Sequence, residues 1–286
     1  MVECLFDKEN LCQSKSSGGH YGDIRSINKI YCAKKIDLSE NKNENNVNLE
    51  KEFLKNSINK KLFKGFIPQY KDICLDNNDS YVIIENLKYG LEKPIVIDLK
   101  IGRKTANKEM LILNKTKKNI KQKLLKHYLI DKKTISNKYG YRAEGMDSDV
   151  KIDRSSLQKI VPENLFNIYF SKDFDNNALL SIINQLEKYY ERISRKEFNS
   201  IVMVGSSILI LYDEKKPSNA RVKIIDFANS YNYKDESKIN KYNMKFIKYY
   251  RQGIKRLIYD LKLFNLHKAK INIKKNFQKK TLKEIK

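Results

Sequence analysis

Pro94-Ile95-Val96-Ile97-Asp98-Leu99-Lys100-Ile101-Gly102 sets an acid and a base two residues apart in an otherwise apolar run that opens on proline and closes on glycine. Side chains two apart on a strand share a face, so Asp98 and Lys100 are expected to point the same way. Burying a carboxylate or an ammonium without a partner is costly. The pair therefore marks a site that uses both charges, an arrangement suited to moving a negatively charged group. The bland alternative is a structural salt bridge, although buried ion pairs are uncertain contributors to stability.

Working outward, Tyr81-Val82-Ile83-Ile84 reads as a buried strand ending at Glu85-Asn86-Leu87, and Lys88-Tyr89-Gly90 loosens the chain before Pro94. A boundary between two lobes is expected there, with an N-terminal lobe and hinge over 1–87, a second lobe over 88–265 and a basic tail over 266–286. Residues 18–36 read as a hairpin opened by Gly18-Gly19-His20. Residues 41–48 form an asparagine-rich loop. Leu49, Phe53, Leu54, Ile58 and Leu62 then recur at helical spacing, and Pro68 enforces an extended path through Phe66-Ile67-Pro68-Gln69-Tyr70. Downstream, 108–130 is helical in pattern, its leucines interleaved with Lys115, Lys117, Lys118, Lys121, Lys123 and Lys126. Further helices are expected over 178–198 and 242–264, and strands over 201–204, 208–212 and 222–225. From His267 onward lysines dominate with few apolar anchors, which predicts a frayed or mobile tail.

Composition narrows the function. A chain of 286 residues accommodates one catalytic unit of two lobes around a cleft, expected to act as a monomer. The net charge of +24 seeks anions. Zinc-finger spacing, basic heptads and glycine-flanked aromatic RNA-binding signatures are absent, so nucleic acid is not specifically indicated. Cys4, Cys12, Cys32 and Cys74 show no C-x-x-C pairing and no histidine partners, and nothing before them resembles a secretory signal. They read as free thiols in a reducing compartment, cytoplasmic or nuclear. No run approaches the roughly 20 apolar residues of a membrane span. His20, His127 and His267 sit in no hydrolase-like motif, and no Walker-type glycine loop occurs.

The pattern P-x-x-x-D-x-K-x-G, followed in order by Ser206-Ser207-Ile208-Leu209 and Ile225-Asp226-Phe227-Ala228, resembles the inositol polyphosphate kinase family with its S-S-L-L and I-D-F-A-H blocks. Tyr139-Gly140-Tyr141-Arg142, Gly145-Met146 and Gly253-Ile254 extend the resemblance over roughly Gly18 to Phe264. The resemblance implies an α+β, two-lobe fold of the protein-kinase-like and ATP-grasp-like kind, with an inositide-binding helical insertion at about 104–130. It implies an ATP-dependent kinase that uses magnesium and takes an inositol phosphate as substrate.

Phosphoryl transfer asks for positioning and charge neutralisation more than covalent chemistry. Carried over residue by residue, Lys34 stands about where the family places the lysine on the ATP phosphates, with Lys35 as an alternative. The Glu85 carbonyl and Leu87 amide would pair with adenine. Asp226 resembles the magnesium-binding acid of the kinase D-F-G turn, and oxygen ligation suits that metal. Asp98 would face the acceptor hydroxyl or phosphate, and Lys100 would bridge the phosphoryl group in flight. Arg103, Lys104, Lys117, Lys118 and Lys121 would supply the acceptor pocket, and Ser206-Ser207 with the strand after them the cleft floor. Asn229 replaces the family's preferred histidine, and Gly145-Met146-Asp147-Ser148-Asp149 departs from the usual G-M-Q-V-Y. Within the family, Gly18-Gly19-His20 and Phe66-Ile67-Pro68-Gln69-Tyr70 look most like inositol hexakisphosphate kinases, which form inositol pyrophosphates. Inositol polyphosphate multikinase, acting on tris- and tetrakisphosphates, is the runner-up. A non-catalytic polyanion-binding scaffold on a kinase fold is the reading from another class, and the intact Lys34, Asp98, Lys100 and Asp226 set argues against it.

Overall fold

The apolar run before Glu85 becomes β5 (Asp79–Glu85) of a five-stranded sheet ordered β1 (Val2–Glu3), β4 (Tyr70–Asp76), β5, β3 (Tyr31–Ile36) and β2 (Ile24–Ser26). The computed structural model describes residues 2–7, 12, 23–36, 48–77, 79–113, 119–147, 150–170 and 174–284, with side chains as far as Ile271. Gly18-Gly19-His20, Lys117, Lys118, Ser148, Asp149 and most of the asparagine-rich 41–48 stretch lie outside these residues. Within them, β2 and β3 form the expected hairpin, with Ile24 opposite Lys34 and Ser26 opposite Cys32.

The signature stretch is β6 (Pro94–Ile101), an inner strand of a second, antiparallel sheet ordered β10 (Arg221–Ile225), β9 (Ser207–Asp213), β6 and β7 (Tyr141–Asp147). Strands hydrogen-bonded on both sides and covered on both faces read as near-continuous apolar runs, which is how β6 reads apart from its two charges. A short ribbon of β8 (Ile201–Met203) and β11 (Ser230–Asn232) completes the strands.

Asn56 divides the helical stretch after Asn48 into α1 (Leu49–Lys55) and α2 (Ser57–Leu62). Its extended backbone ends the first helix, and its side chain accepts the Ile58 and Asn59 amides that open the second. The basic stretch after the signature is two helices, α3 (Lys108–Leu113) and α4 (Ile120–Lys133), with α5 (Ser136–Tyr139) following. Beyond β7 come α6 (Arg154–Leu157), α7 (Pro162–Tyr169) and α8 (Asn176–Ser194), the last capped by Asp175. Leu179, Ile182, Ile183, Leu186, Tyr189 and Ile193 give α8 an i, i+3, i+4 stripe packed on α9 (Lys241–Glu284).

The two sheets share one hydrophobic core running from Ile36 and Phe53 to Leu261 and Phe264. Phe53 of α1 stacks on Phe227 with ring centroids 4.4 Å apart, joining the first sheet's helix to the turn after β10. The family-like glycines answer to backbone contact. Gly140 adopts φ +76°, and a Cβ on Gly253 would run into the Gly140 carbonyl, so α9 crosses here at backbone distance.

Two expectations are corrected. The cysteines are not free thiols: Cys4 pairs with Cys74 and Cys12 with Cys32. Parallel pairing of β1 with β4 brings Cys4 to a Cα distance of 5.0 Å from Cys74 across 70 residues of sequence, a proximity that spacing does not reveal. The argument from free thiols to a reducing compartment falls with them. Nor does the chain fray at His267, because α9 continues to Glu284. Its inner face is anchored as far as Phe264, and lysine-rich sequence without glycine or proline propagates a nucleated helix. Among the described residues, no helix is long and apolar enough to cross a membrane.

Candidate active site

Strand alternation settles the signature first. Ile95, Ile97, Leu99 and Ile101 enter the core, while Val96, Asp98 and Lys100 occupy the opposite face together with Ser207, Leu209 and Leu211 of β9, their register partners. β9, the strand expected to form the cleft floor, thus lies side by side with β6. Asp98 is 8 % exposed, and its Oδ1 has no hydrogen-bond partner among the described residues. Burial pushes its carboxyl up to about 6. Lys100 opposes that rise, and the neighbouring Asp226 charge adds to it.

Asp226 follows β10 with φ +66°, a left-handed conformation uncommon for any residue but glycine. That turn brings its carboxylate between two lysines, 2.9 Å from Lys34 Nζ and 2.9 Å from Lys100 Nζ. Burial works against the charged carboxylate, yet Lys100 and Lys34 outweigh it and hold Asp226 well below the usual carboxylate range. Burial likewise disfavours charge on Lys34, but Asp226 and Glu50 keep it above the ordinary lysine value. Lys100 is raised too, its burial overcome by Asp226 and Asp98.

Lys34 and Lys35 are now distinguished. Lys35 pairs with Asp79 at the exposed side of the sheet, whereas Lys34 points to Asp226 and to Glu50 of α1, 2.8 Å away. Sequence reasoning missed Glu50. Its signal was available: an acid in the first turn of a helix capped by Asn48 and otherwise buried through Leu49, Phe53 and Leu54.

Lys34, Glu50 and Asp226 sit at one end of a narrow cavity of about 110 Å³ lined by Pro68, Ile84, Glu85 and Leu87 on one side and Val96, Leu209 and Leu211 on the other. Two apolar walls this close suit a flat ring. The chain at Glu85-Asn86-Leu87 is tied down on both flanks. The Asn86 amide donates to the Ile30 carbonyl, and Arg221 donates to the Leu87 and Tyr89 carbonyls. The cystine of Cys12 and Cys32 also borders this cavity.

A second cavity, of about 400 Å³, opens where β6 ends. Arg103 and Lys104 line it with Lys132, His127, Tyr128, Asp131, Tyr242 and Tyr249. Lys121 does not line it and stands exposed at the start of α4, and Lys117 and Lys118 fall outside the described residues. The cationic wall therefore comes from the residues immediately after Gly102 and from the far end of α4. A buried network hangs α4 on the sheet that carries Asp98 and Lys100. Asp131 accepts the Thr105 amide and hydroxyl and pairs with Arg142 at 2.7 Å, and Arg142 pairs with Glu144. Arg142 lies opposite Lys100 across β6 and β7. Sequence reasoning passed over Asp131 and His127 because polar residues on a lysine-rich helix read as a solvated face, and over Glu144 because it stands on β7 between the Tyr139-Gly140-Tyr141-Arg142 and Gly145-Met146 blocks. Burial lowers the His127 pKa, helped by Arg142 and Lys100 and opposed by Asp131.

Among the described residues no group of three or more histidines, cysteines or acids could hold a metal by itself. Asp226 meets both Lys34 and Lys100, and Asp98 Oδ1 and Asn229 Oδ1 are buried with no hydrogen-bond partner among the described residues. Magnesium binds through one or two carboxylates plus substrate phosphates and water, so this donor set fits a metal that arrives with a nucleotide. Of the departures from the family pattern, Asp147 pairs with Lys88 at 3.0 Å; Gly145, which keeps to the pattern, lies opposite Asp98.

The family model for inositol polyphosphate kinase matches residues 81–262, which contain most of β5, the signature, Asp226 and most of the anchored half of α9. The crystal structure of the inositol phosphate multikinase Ipk2 from S. cerevisiae in complex with ADP and Mn2+ superposes with a TM-score of 0.55. The two are 17 % identical, and the match covers 70 % of this chain and 89 % of that one. A structure from protein-engineering work on inositol phosphate multikinase gives a TM-score of 0.51 at 17 % identity, covering 74 % of this chain and 95 % of that one. These likenesses show the shared fold. No curated protein matches this chain in sequence.

Proposed function

Because the chain belongs to the inositol polyphosphate kinase family and is a kinase, we propose that it transfers a phosphoryl group from ATP to an inositol phosphate that retains ring hydroxyls, as a multikinase does. The observation that carries the reading is the convergence of Lys34 and Lys100 on Asp226 beside the buried Asp98. Two ammonium groups already gathered at one carboxylate need little reorganisation to meet phosphate oxygens. Asp226 would hold the divalent metal, which when bound neutralises phosphate charge. Adenine fits the flat cavity against Glu85 and Leu87, and Lys34 takes the nucleotide phosphates. Lys100, two residues from Asp98 on the same face, stabilises the group in transfer, and ionised Asp98 accepts the acceptor's hydroxyl proton.

The acceptor is assigned to the second cavity. Arg103, Lys104 and Lys132 are its permanent cations and Asp131 stands among them, a modest complement that suits a tris- or tetrakisphosphate. A second reading, inositol hexakisphosphate as acceptor with a pyrophosphate product, is favoured by the Phe66-Ile67-Pro68-Gln69-Tyr70 segment. Pro68, however, borders the nucleotide-side cavity and not the second one. Incubating purified protein with ATP, magnesium and each acceptor, then resolving products by chromatography, tests both. Conversion of tris- or tetrakisphosphate supports the proposal, conversion of hexakisphosphate alone supports the second reading, and no conversion of any acceptor returns the scaffold reading.

A further inference from the structure

α4 buries only Asp131 of its 14 residues. An isolated helix of this length is marginal in water, and most helices gain their stability by covering an apolar face. Here Leu125 and Leu129 remain 57 % and 40 % exposed, and both open onto a groove of about 650 Å³ on the side of α4 away from the second cavity. Ile130 continues the apolar floor, and Ser155 and Gln158 at α6 form the opposite wall. The rim carries Lys126, Lys133 and Lys159, and among the described residues no acidic side chain lines the groove.

We propose that this groove docks an acidic amphipathic helix of a partner protein. Leu125 and Leu129 stand one helical turn apart (i, i+4) with Ile130 beside them, an apolar strip on α4 that a helix presenting apolar anchors can cover. α4 is about 21 Å long at 1.5 Å per residue, so it accommodates about four turns of a facing helix. Three rim lysines without a carboxylate select acidic flanks on the ligand. The two walls, α4 on one side and Ser155 and Gln158 on the other, suit a rod about 10 Å across, which is the diameter of a helix. Another copy of this chain is disfavoured by the charge of +24.

The test uses the full chain and a fluorescein-labelled peptide with leucines at i, i+3, i+4 and i+7 and glutamates elsewhere, beside a scrambled peptide of the same composition. Fluorescence anisotropy is read at physiological ionic strength, with no kinase activity in the readout, so the outcome is separable from the acceptor assignment. The patterned peptide is expected to bind at least about tenfold tighter than the scrambled one. The K126E/K133E/K159E variant, whose three substitutions sit on exposed side chains, is expected to lose that preference. L125S/L129S should lose it as well, each variant being checked for an unchanged circular dichroism spectrum. Equal binding of both peptides, or a preference that survives in the lysine variant, overturns the proposal. So does a result in which the lysine substitutions abolish sedimentation with phosphatidylserine vesicles and leave peptide binding intact, or in which the chain dimerises through Leu125 and Leu129.

Discussion

Asp98 bears opposite consequences for stability and for activity. Its carboxyl holds a proton more tightly in the fold than in the unfolded chain, so between about pH 4 and 6 the folded state binds more protons and stability falls as pH rises. Asp98→Asn removes that burden. The variant is expected to exceed the native chain in denaturant-unfolding free energy at pH 8, by on the order of 3 kcal/mol, and to match it at pH 4. A variant less stable at pH 8 would refute the buried-charge account. Activity should disappear in the same variant, and native turnover should decline below about pH 6 as the proton acceptor is filled. Asp226 behaves in the reverse sense. Its pKa is depressed by Lys100 and Lys34, so its contribution is complete above the ordinary carboxylate range and is lost as pH falls below it. Asp226→Asn should lower kcat by about 1000-fold while unfolding stays cooperative, and turnover within tenfold of native would remove Asp226 from the phosphate site.

Helix α1 brings Glu50 to Lys34, and α4 brings Lys132 to the second cavity, so each contribution belongs to an element's placement and not to a local motif. Glu50→Gln removes one of the two carboxylates that orient Lys34. It is expected to raise the KM for ATP by about tenfold and leave the acceptor KM unchanged, as steady-state kinetics with each substrate varied would report. On α4, Lys132→Ala is expected to raise the acceptor KM by about the same factor, whereas Lys121→Ala leaves it unaltered because its side chain stands away from the cavity. Equal effects from the two lysines would mean that general attraction, not the cavity wall, holds the acceptor. Both helices were legible as amphipathic or basic stretches. Their useful charged residues were not, because helical periodicity reports which face is apolar and says nothing of which charge a neighbouring strand will meet.

At the scale of the whole molecule, two cystines and a charge of +24 set the response to conditions. Cys4–Cys74 closes a separation of 70 residues, for which chain entropy gives about 4 kcal/mol. Cys4→Ser/Cys74→Ser should therefore unfold at markedly lower denaturant concentration, and an unchanged midpoint would count against the bridge. Rising salt should raise the acceptor KM as the Debye length shortens to about 10 Å near 0.1 M. The sequence by itself determined the strands at 81–84, 94–101, 201–204, 208–212 and 222–225, the long helix α8 and the first half of α9, the shared face of Asp98 and Lys100, and the order of blocks that placed Asp226 among the candidate site residues. Those features repeat on the length of a strand or a helical turn, and the hydrophobic pattern encodes them directly. Tertiary structure alone decided that Lys34 and not Lys35 meets Asp226, that Glu50 joins them, that the cysteines pair, and that Asp131 and Arg142 fix the second cavity to the sheet that carries Asp98 and Lys100. Each of those contacts joins residues distant along the chain or picks one of two neighbours by the face it occupies, and only the packing of one element on another sets such distances.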